Sequence, residues 1–281
     1  MNVLILGKGY IGTLLSQELG CQIKSQKELE YTVAENLTDY LHKNNIAWVV
    51  SCFGFTGNPN VDQCEQNIAY KIKTWEYNVQ VPLMLASVCK QLSINFINIS
   101  SGCIYNGYEK DFTEDDPSNF GIWNKESSYY SKSKHACELN LVNFDCYQLR
   151  VRIPFCSRDN RKNYLSKLYN FTKVIPENNS ITNVHDLSQF IKRLIHKKPE
   201  FGIYNVVNEN IISGVEVKSM LGFHNPDVIS ESYLNLSCKR SNCILSTEKI
   251  TRLGLQLPPV RESLIRDIEQ FLISRSWRAY E

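Results

Sequence analysis

Residues 2–19 read NVLILGKGYIGTLLSQEL, and this stretch decides the fold. NVLILG is an unbroken apolar run of strand length, and IGTLLSQEL carries its apolar residues at helical spacing. Between them stand Gly7, Gly9 and Gly12 in GxGxxG spacing. In a strand–turn–helix, the first glycine permits the tight turn and the second lets a pyrophosphate approach the backbone. The third lets the helix pack closely. The helix N-terminus then presents unpaired N–H groups to a phosphate. Gly7, Gly9, Tyr10, Ile11 and Gly12 are thus the first candidates for a dinucleotide site; a tight glycine turn with no ligand is the plain alternative.

Outward from that stretch, strands and helices keep alternating. IAWVVSCFG (46–54), NFINISS (95–101) and CYQLRVRIPF (146–155) read as strands. QNIAYKIKTWEYNVQVPLMLASVCKQL (66–92) and SSYYSKSKHACELNLVNF (127–144) read as helical. The pattern predicts an α/β fold with a doubly wound parallel sheet, whose ligands sit at the carboxyl ends of the strands. Cys52 and Gly54 fall at one such end and are expected on the cofactor side. The second half is less regular: NYLSKLYNFTKV (163–174) and VHDLSQFIKRLIHKK (184–198) read as helices and GIYNVV (202–207) as a strand. It reads as a smaller lobe covering the crevice, with some segments returning to the main sheet.

Bulk properties narrow the function classes. The chain has 281 residues, 43% hydrophobic and 21% charged, with net charge +2 and no Lys/Arg-rich block, so electrostatics suggest no nucleic-acid partner. No window approaches the run of about 18 apolar residues that a membrane span needs. The N-terminal apolar run is too short for a signal peptide and lacks a charged n-region. Ten cysteines without CxxC spacing read as reduced thiols, and so as a cytoplasmic protein. The five histidines lack ligand spacing, so no metal is expected; His185 reads as a helix-cap residue.

The second strand, near CQIKSQKEL (21–29), ends in Lys24, Ser25 and Lys27 where an NAD site usually carries an acid. Those residues favour NADPH through attraction to its extra phosphate, with NADH as the alternative; a solvated basic turn would look the same. Farther along, YYSKSK places Tyr130 and Lys134 four residues apart, hence on one helix face. A cation beside a phenol lowers its pKa and makes it a usable acid near neutrality. Ser101, at the end of the preceding strand, supplies a hydroxyl for a carbonyl oxygen.

This trio, with the N-terminal glycines, resembles the extended, nucleotide-sugar-modifying branch of the short-chain dehydrogenase/reductase superfamily. The resemblance implies a Rossmann-type NADP(H)-binding domain over residues 1–153 and a mainly substrate-binding lobe over 154–281. It implies that Tyr130 gives the proton to the reduced oxygen, Lys134 holds the nicotinamide ribose and Ser101 hydrogen-bonds the carbonyl. Asn78 matches the superfamily's helix asparagine, which supports the active-site backbone; helix packing would equally explain it. The helices before Lys90 and around Tyr130 are the pair that extended members use to form homodimers, although core packing also accounts for their apolar stripes.

A narrower resemblance lies in SCFGFTGNPNVDQCE (51–65), SGCIYNG (101–107), RVRIP (150–154), NYLSK (163–167) and KRSNCILSTEKI (239–250). These segments are similar to those of the bifunctional 3,5-epimerase/4-reductases that make UDP-rhamnose. That family implies UDP-4-keto-6-deoxy-D-glucose as substrate, with Cys103 and Lys167 moving the protons of epimerisation. Thr56, Asn58, Asn60, Val61, Arg240 and Asn242 are the corresponding substrate-side residues. A lysine in this role must lose its proton, so burial or a neighbouring cation should depress its pKa. Cys52 and Phe53 replace small residues of the family pattern, and Ser101 stands where threonine is frequent. A plain 4-keto reductase, a GDP or dTDP sugar as substrate, and a non-catalytic NADP-binding subunit remain alternatives. Arg150 and Arg152 suit structural pairing as well as phosphate contact.

Overall fold

The computed structural model describes residues 2–230, 232 and 236–278. Six parallel strands form the main sheet in the order β2 (Gln22–Lys24), β1 (Val3–Leu6), β3 (Trp48–Ser51), β4 (Asn95–Ser101), β5 (Cys146–Val151), β6 (Gly202–Asn205). Register carries straight across it: Ile5 lies beside Ile23 and Val50, and Ser101 beside Val151. From β1 the chain moves outward to β2 and then returns to β3. The order therefore reverses at β1 and opens a crevice beyond the carboxyl ends of β1 and β3.

Both faces of the sheet are covered, which is why its strands read as unbroken apolar runs. Val3, Ile5, Val50, Ile97 and Leu149 pack on one side with Leu14, Leu15, Leu187, Ile191 and Leu194 from helices Tyr10–Leu19 and Val184–Lys197. Alternate residues Leu4, Leu6, Val49 and Phe96 point the other way, against helices Ala34–Lys43, Val81–Gln91 and Tyr129–Leu141. A separate core of Phe155, Leu165, Val174, Val217, Leu264 and Phe271 joins helices Tyr164–Asn170, Gly214–Met220 and Val260–Arg278. Strand Cys243–Leu245 runs parallel to Gly107–Phe112 and brings the 239–250 segment beside the end of β4. Among the described residues no helix is long and apolar enough to cross a membrane.

Two segments differ from the sequence reading. The expected long helix over 66–92 is split: Ile68–Trp75 and Val81–Gln91 flank a π-helical turn, Glu76–Gln80. Pro82 has no N–H for the carbonyl of Asn78, and the Val81 N–H reaches back to Glu76 O instead, widening the ladder. The helix expected over 163–174 ends at Asn170, and Lys173–Val174 forms a short strand beside Asp227–Val228.

Candidate active site

The glycine turn is built as a dinucleotide cradle. Gly7 has φ +108°, and a Cβ on Gly12 would lie 2.1 Å from Gly7 O, so helix Tyr10–Leu19 can sit this close to β1 only with glycines there. That helix begins at Gly9 with no side-chain cap, and the space in front of Gly9 is open to 4 Å. Its first N–H groups are thus left for a ligand. Tyr10 donates its hydroxyl hydrogen bond to Cys156 Sγ at 3.2 Å, and Ile11 packs into the core behind the turn. At the end of β2, the Ser25 N–H and hydroxyl donate to Glu28 at 2.9 and 2.8 Å, and Lys8 pairs with the same carboxylate. An acid, Glu28, therefore does stand at the end of β2, where the sequence pattern suggested only Lys24, Ser25 and Lys27, and it occupies the Ser25 and Lys8 donors. The Lys24 ammonium lies 5.5 Å from the Tyr40 ring centroid. The glycine turn and the uncapped helix N-terminus fit a dinucleotide's diphosphate.

Asn78, in the π-helical turn, is fully buried. It accepts from Phe55 N at 2.8 Å and donates to Phe55 O and Ser133 Oγ, both at 3.0 Å. It thus ties the loop after β3 to the helix carrying Tyr130 and Lys134. A Cβ on Gly54, in that loop, would lie 3.7 Å from Lys134 Nζ. Cys52 continues the β1–β3 pairing by donating its N–H to Leu6 O.

Tyr130 and Lys134 lie in the first turns of helix Tyr129–Leu141, whose N-cap Ser128 accepts from Ser131 N at 3.0 Å. Ser101 lies near enough to the Tyr130 phenol to bear on its charge, and Ser101 Oγ accepts from Cys103 N at 3.2 Å. Lys134 is buried, donates to Ile99 O at 3.4 Å and lies 6.0 Å from the Tyr130 ring centroid. The expectation that the cation lowers the Tyr130 pKa is corrected. Desolvation of the phenol, reinforced by Cys103 nearby, pushes it up and outweighs the opposing influence of the Ser101 hydroxyl. Burial likewise pushes the Lys134 ammonium down.

Cys103 sits half-buried in the turn after β4, within electrostatic reach of Tyr130, Lys134 and Cys243. Lys167 is half-buried on helix Tyr164–Asn170. Its pKa is depressed, first by burial and then by Lys162 and Arg240. Cys103 and Lys167 stand on different elements, and among the described residues no hydrogen bond joins them.

Among the residues expected to meet substrate, Arg240 grips Asp62 through both prongs, at 2.9 and 2.8 Å. Burial opposes the Asp62 charge, but the guanidinium holds its carboxyl below the usual range. Thr56 Oγ1 accepts from Lys162 at 3.1 Å, and Asn58 Oδ1 from Arg161 at 3.1 Å. Exposed Asn60 folds its side chain onto Asp62 N at 2.8 Å, and Val61 O accepts from Cys64 N. Asn242 points inward, accepting from Asn179 at 3.0 Å and donating its N–H to Asn106.

The two arginines flanking the end of β5 are structural. Buried Arg150 is bidentate on Glu138 at 2.8 and 2.6 Å, and Arg152 holds Gly102 O, Asn179 and Ser241. His185 is not the cap of its helix. Asn183 is, accepting from Asp186 N at 3.0 Å, while His185 Nδ1 lies 3.0 Å from Glu18.

Sequence reasoning missed three features. Glu65 accepts from Tyr129 N and so anchors the start of the Tyr130 helix. Asp62 is the partner of Arg240. Both lie inside the quoted NVDQCE block, which was their signal. Arg158, Arg161 and Lys162 line a cleft of about 380 Å³ with Lys8, Gly9, Tyr10 and Thr13. Their signal was three cations just past a strand end.

Residues 1–273 match the family described as RmlD substrate binding domain. The chain is 30% identical to a bifunctional dTDP-4-dehydrorhamnose 3,5-epimerase/dTDP-4-dehydrorhamnose reductase of Arabidopsis thaliana, over 94% of this chain and 91% of that one. Its fold is that of a UDP-rhamnose synthase from Acanthamoeba polyphaga mimivirus, with TM-score 0.84 at 24% identity, covering 96% and 99% of the two chains. A dTDP-4-dehydrorhamnose reductase from Bacillus anthracis, solved in complex with NADP, aligns with TM-score 0.80 at 20% identity over 98% and 100%.

Proposed function

We propose that this chain, which belongs to the RmlD substrate-binding-domain family, is an NADPH-dependent 3,5-epimerase/4-reductase that converts UDP-4-keto-6-deoxy-D-glucose to UDP-L-rhamnose. The coarser reading, a 4-keto reductase of sugar nucleotides, follows from the family and from the likeness to rhamnose-forming relatives. The observation that carries the reading is the gathering of Ser101, Cys103 and Tyr130 at the end of β4, with Cys103 N–H on the serine oxygen and a buried Lys134 6.0 Å from the Tyr130 ring centroid.

Bound NADPH supplies the hydride for carbon 4. The chain's own groups do the rest. Ser101 and Tyr130 hydrogen-bond the ketone oxygen, and Tyr130 gives it the proton. Lys134 sits below the phenol, where its ammonium suits the nicotinamide ribose. The same two hydroxyls stabilise an enolate when a proton leaves carbon 3 or carbon 5. Inversion needs one group to take that proton and another to return one to the opposite face. Cys103, beside Tyr130, and Lys167, with its depressed pKa, are the two groups we assign to it. Arg240 suits the diphosphate through its planar fork once Asp62 yields it. The C-terminal lobe would take the sugar nucleotide.

A homodimer through the paired helices belongs to this reading. Ile68 and Ile72, one turn apart, are 72% and 61% exposed, and Leu139 and Val142 are 46% and 66% exposed. Such apolar surface favours a covering partner.

The test starts without reduced cofactor. The protein is incubated with UDP-4-keto-6-deoxyglucose in heavy water, and the protons on carbons 3 and 5 are followed by NMR. Exchange at both, followed by NADPH oxidation and UDP-rhamnose on adding cofactor, is expected. NADPH oxidation without prior exchange would reduce the assignment to a plain 4-keto reductase.

A further inference from the structure

We propose that Arg158, Arg161 and Lys162 form a cationic strap that clamps the cofactor's diphosphate and ties it to the substrate-side loop. The proposal rests on the dinucleotide reading above and adds to it a second jaw, contributed from the far side of the cleft.

The geometry has three parts. First, the strap lies across the same cleft of about 380 Å³ that Lys8, Gly9, Tyr10 and Thr13 line at the start of the glycine-turn helix. Second, the partners of its cations are neutral. Arg158 donates to Gln17 Oε1, Arg161 to Asn58 Oδ1 and Lys162 to Thr56 Oγ1. The carboxylate of the segment, Asp159, lines the same cleft but accepts from Ser166 Oγ at 2.6 Å and pairs with Arg275 at 2.9 Å. Among the described residues, none of the three cations sits in an ion pair. Third, the contacts bridge the molecule: Gln17 belongs to the cofactor helix, whereas Thr56 and Asn58 belong to the loop expected to face the sugar. Three cations share the cleft with a single carboxylate, Asp159, which is paired with Arg275, so they are left in excess and repel one another, and burial plus Arg161 together depress the Lys162 ammonium. An anion of two or more charges placed between the strap and the helix N-terminus relieves that repulsion. A nucleotide diphosphate is such an anion, and guanidinium forks match its oxygens.

The test is a binding measurement on the intact chain. NADPH is titrated by its fluorescence against the wild type, the double variant Arg161→Gln/Lys162→Gln and the exposed single variant Arg161→Gln, at several salt concentrations. Adenosine 2′-phosphate, which lacks the diphosphate, is titrated by calorimetry as the reference ligand. In the double variant the Kd for NADPH should rise roughly tenfold or more, with a weaker salt dependence. The single variant should lie between it and the wild type, and adenosine 2′-phosphate should bind all three alike. Unchanged NADPH affinity and salt slope would overturn the strap while leaving the enzyme reading intact. Equal loss for both ligands would overturn it too, since the effect would not follow the diphosphate. A wild-type chain that binds neither ligand would instead overturn the cofactor reading, and the strap with it.

Discussion

The Lys134 ammonium lies 6.0 Å from the centroid of the Tyr130 ring, buried, with Ile99 O as its hydrogen-bond acceptor at 3.4 Å. Burial depresses its pKa, so the folded state binds this proton less readily than the unfolded chain. For a depressed base the cost is absent above the unfolded value near 10.5, grows as pH falls from there to the folded pKa, and is fully present below it. At neutral pH, Lys134 is therefore a stability cost retained for function. Lys134→Met should raise Tm by roughly 2–4 °C, as about 1 kcal/mol would in a chain of this size, while cutting NADPH oxidation. Scanning calorimetry and a steady-state assay check both, and a lowered Tm would contradict the argument.

Tyr130→Phe removes the hydroxyl assigned as proton donor and little else. NADPH oxidation should fall by a factor of roughly 10²–10⁴, the usual contribution of a positioned acid. NADPH affinity should hold, because the glycine turn is untouched. A variant of near wild-type rate would show that another group gives the proton.

Cys103 is only half-buried, so Cys103→Ala costs little packing. Deuterium exchange at carbons 3 and 5 should stop or become confined to one carbon, with the melting temperature close to wild type. Unaltered exchange at both carbons would remove the thiol from the epimerisation.

The depressed pKa of Lys167 owes its second-largest contribution to Lys162. A neighbouring cation disfavours the ammonium, so Lys162→Gln should raise the Lys167 pKa and move the rising limb of the exchange–pH profile to higher pH. A shift to lower pH, or none, would mean that another group controls that limb.

Glu138 and Arg150 are a pair with side chains 6% and 2% exposed. Glu138→Ala leaves the guanidinium buried without its counter-charge and should destabilise the fold by about 3–5 kcal/mol. Urea denaturation measures this. The Arg150 fork also reaches Thr113 O and Asn205, and these neutral acceptors cannot replace the carboxylate.

The sequence by itself determined the sheet, the glycine turn and the Tyr130–Lys134 face. Each is encoded over a few residues: apolar runs of strand length, a three-glycine spacing, and an i, i+4 pair on one helix. It determined the family as well, through short segments that keep their order along the chain. Tertiary structure alone decided what those residues meet. Asp62 and Arg240 are 178 positions apart, and Arg158 and Gln17 are 141 apart, so no local period could announce either contact. Asn242 was read with the segment that meets the sugar nucleotide, and only the fold shows that its N–H donates to Asn106 and its side chain accepts from Asn179, 136 and 63 positions away. The π-helical turn arose from a proline and a buried asparagine acting together, where the helical pattern predicted continuity. The phenol of Tyr130 gives the clearest case. Its neighbour in sequence is a lysine that favours the phenolate, but its surroundings in space are desolvated, and desolvation wins because the cost of burying charge depends on everything packed around it.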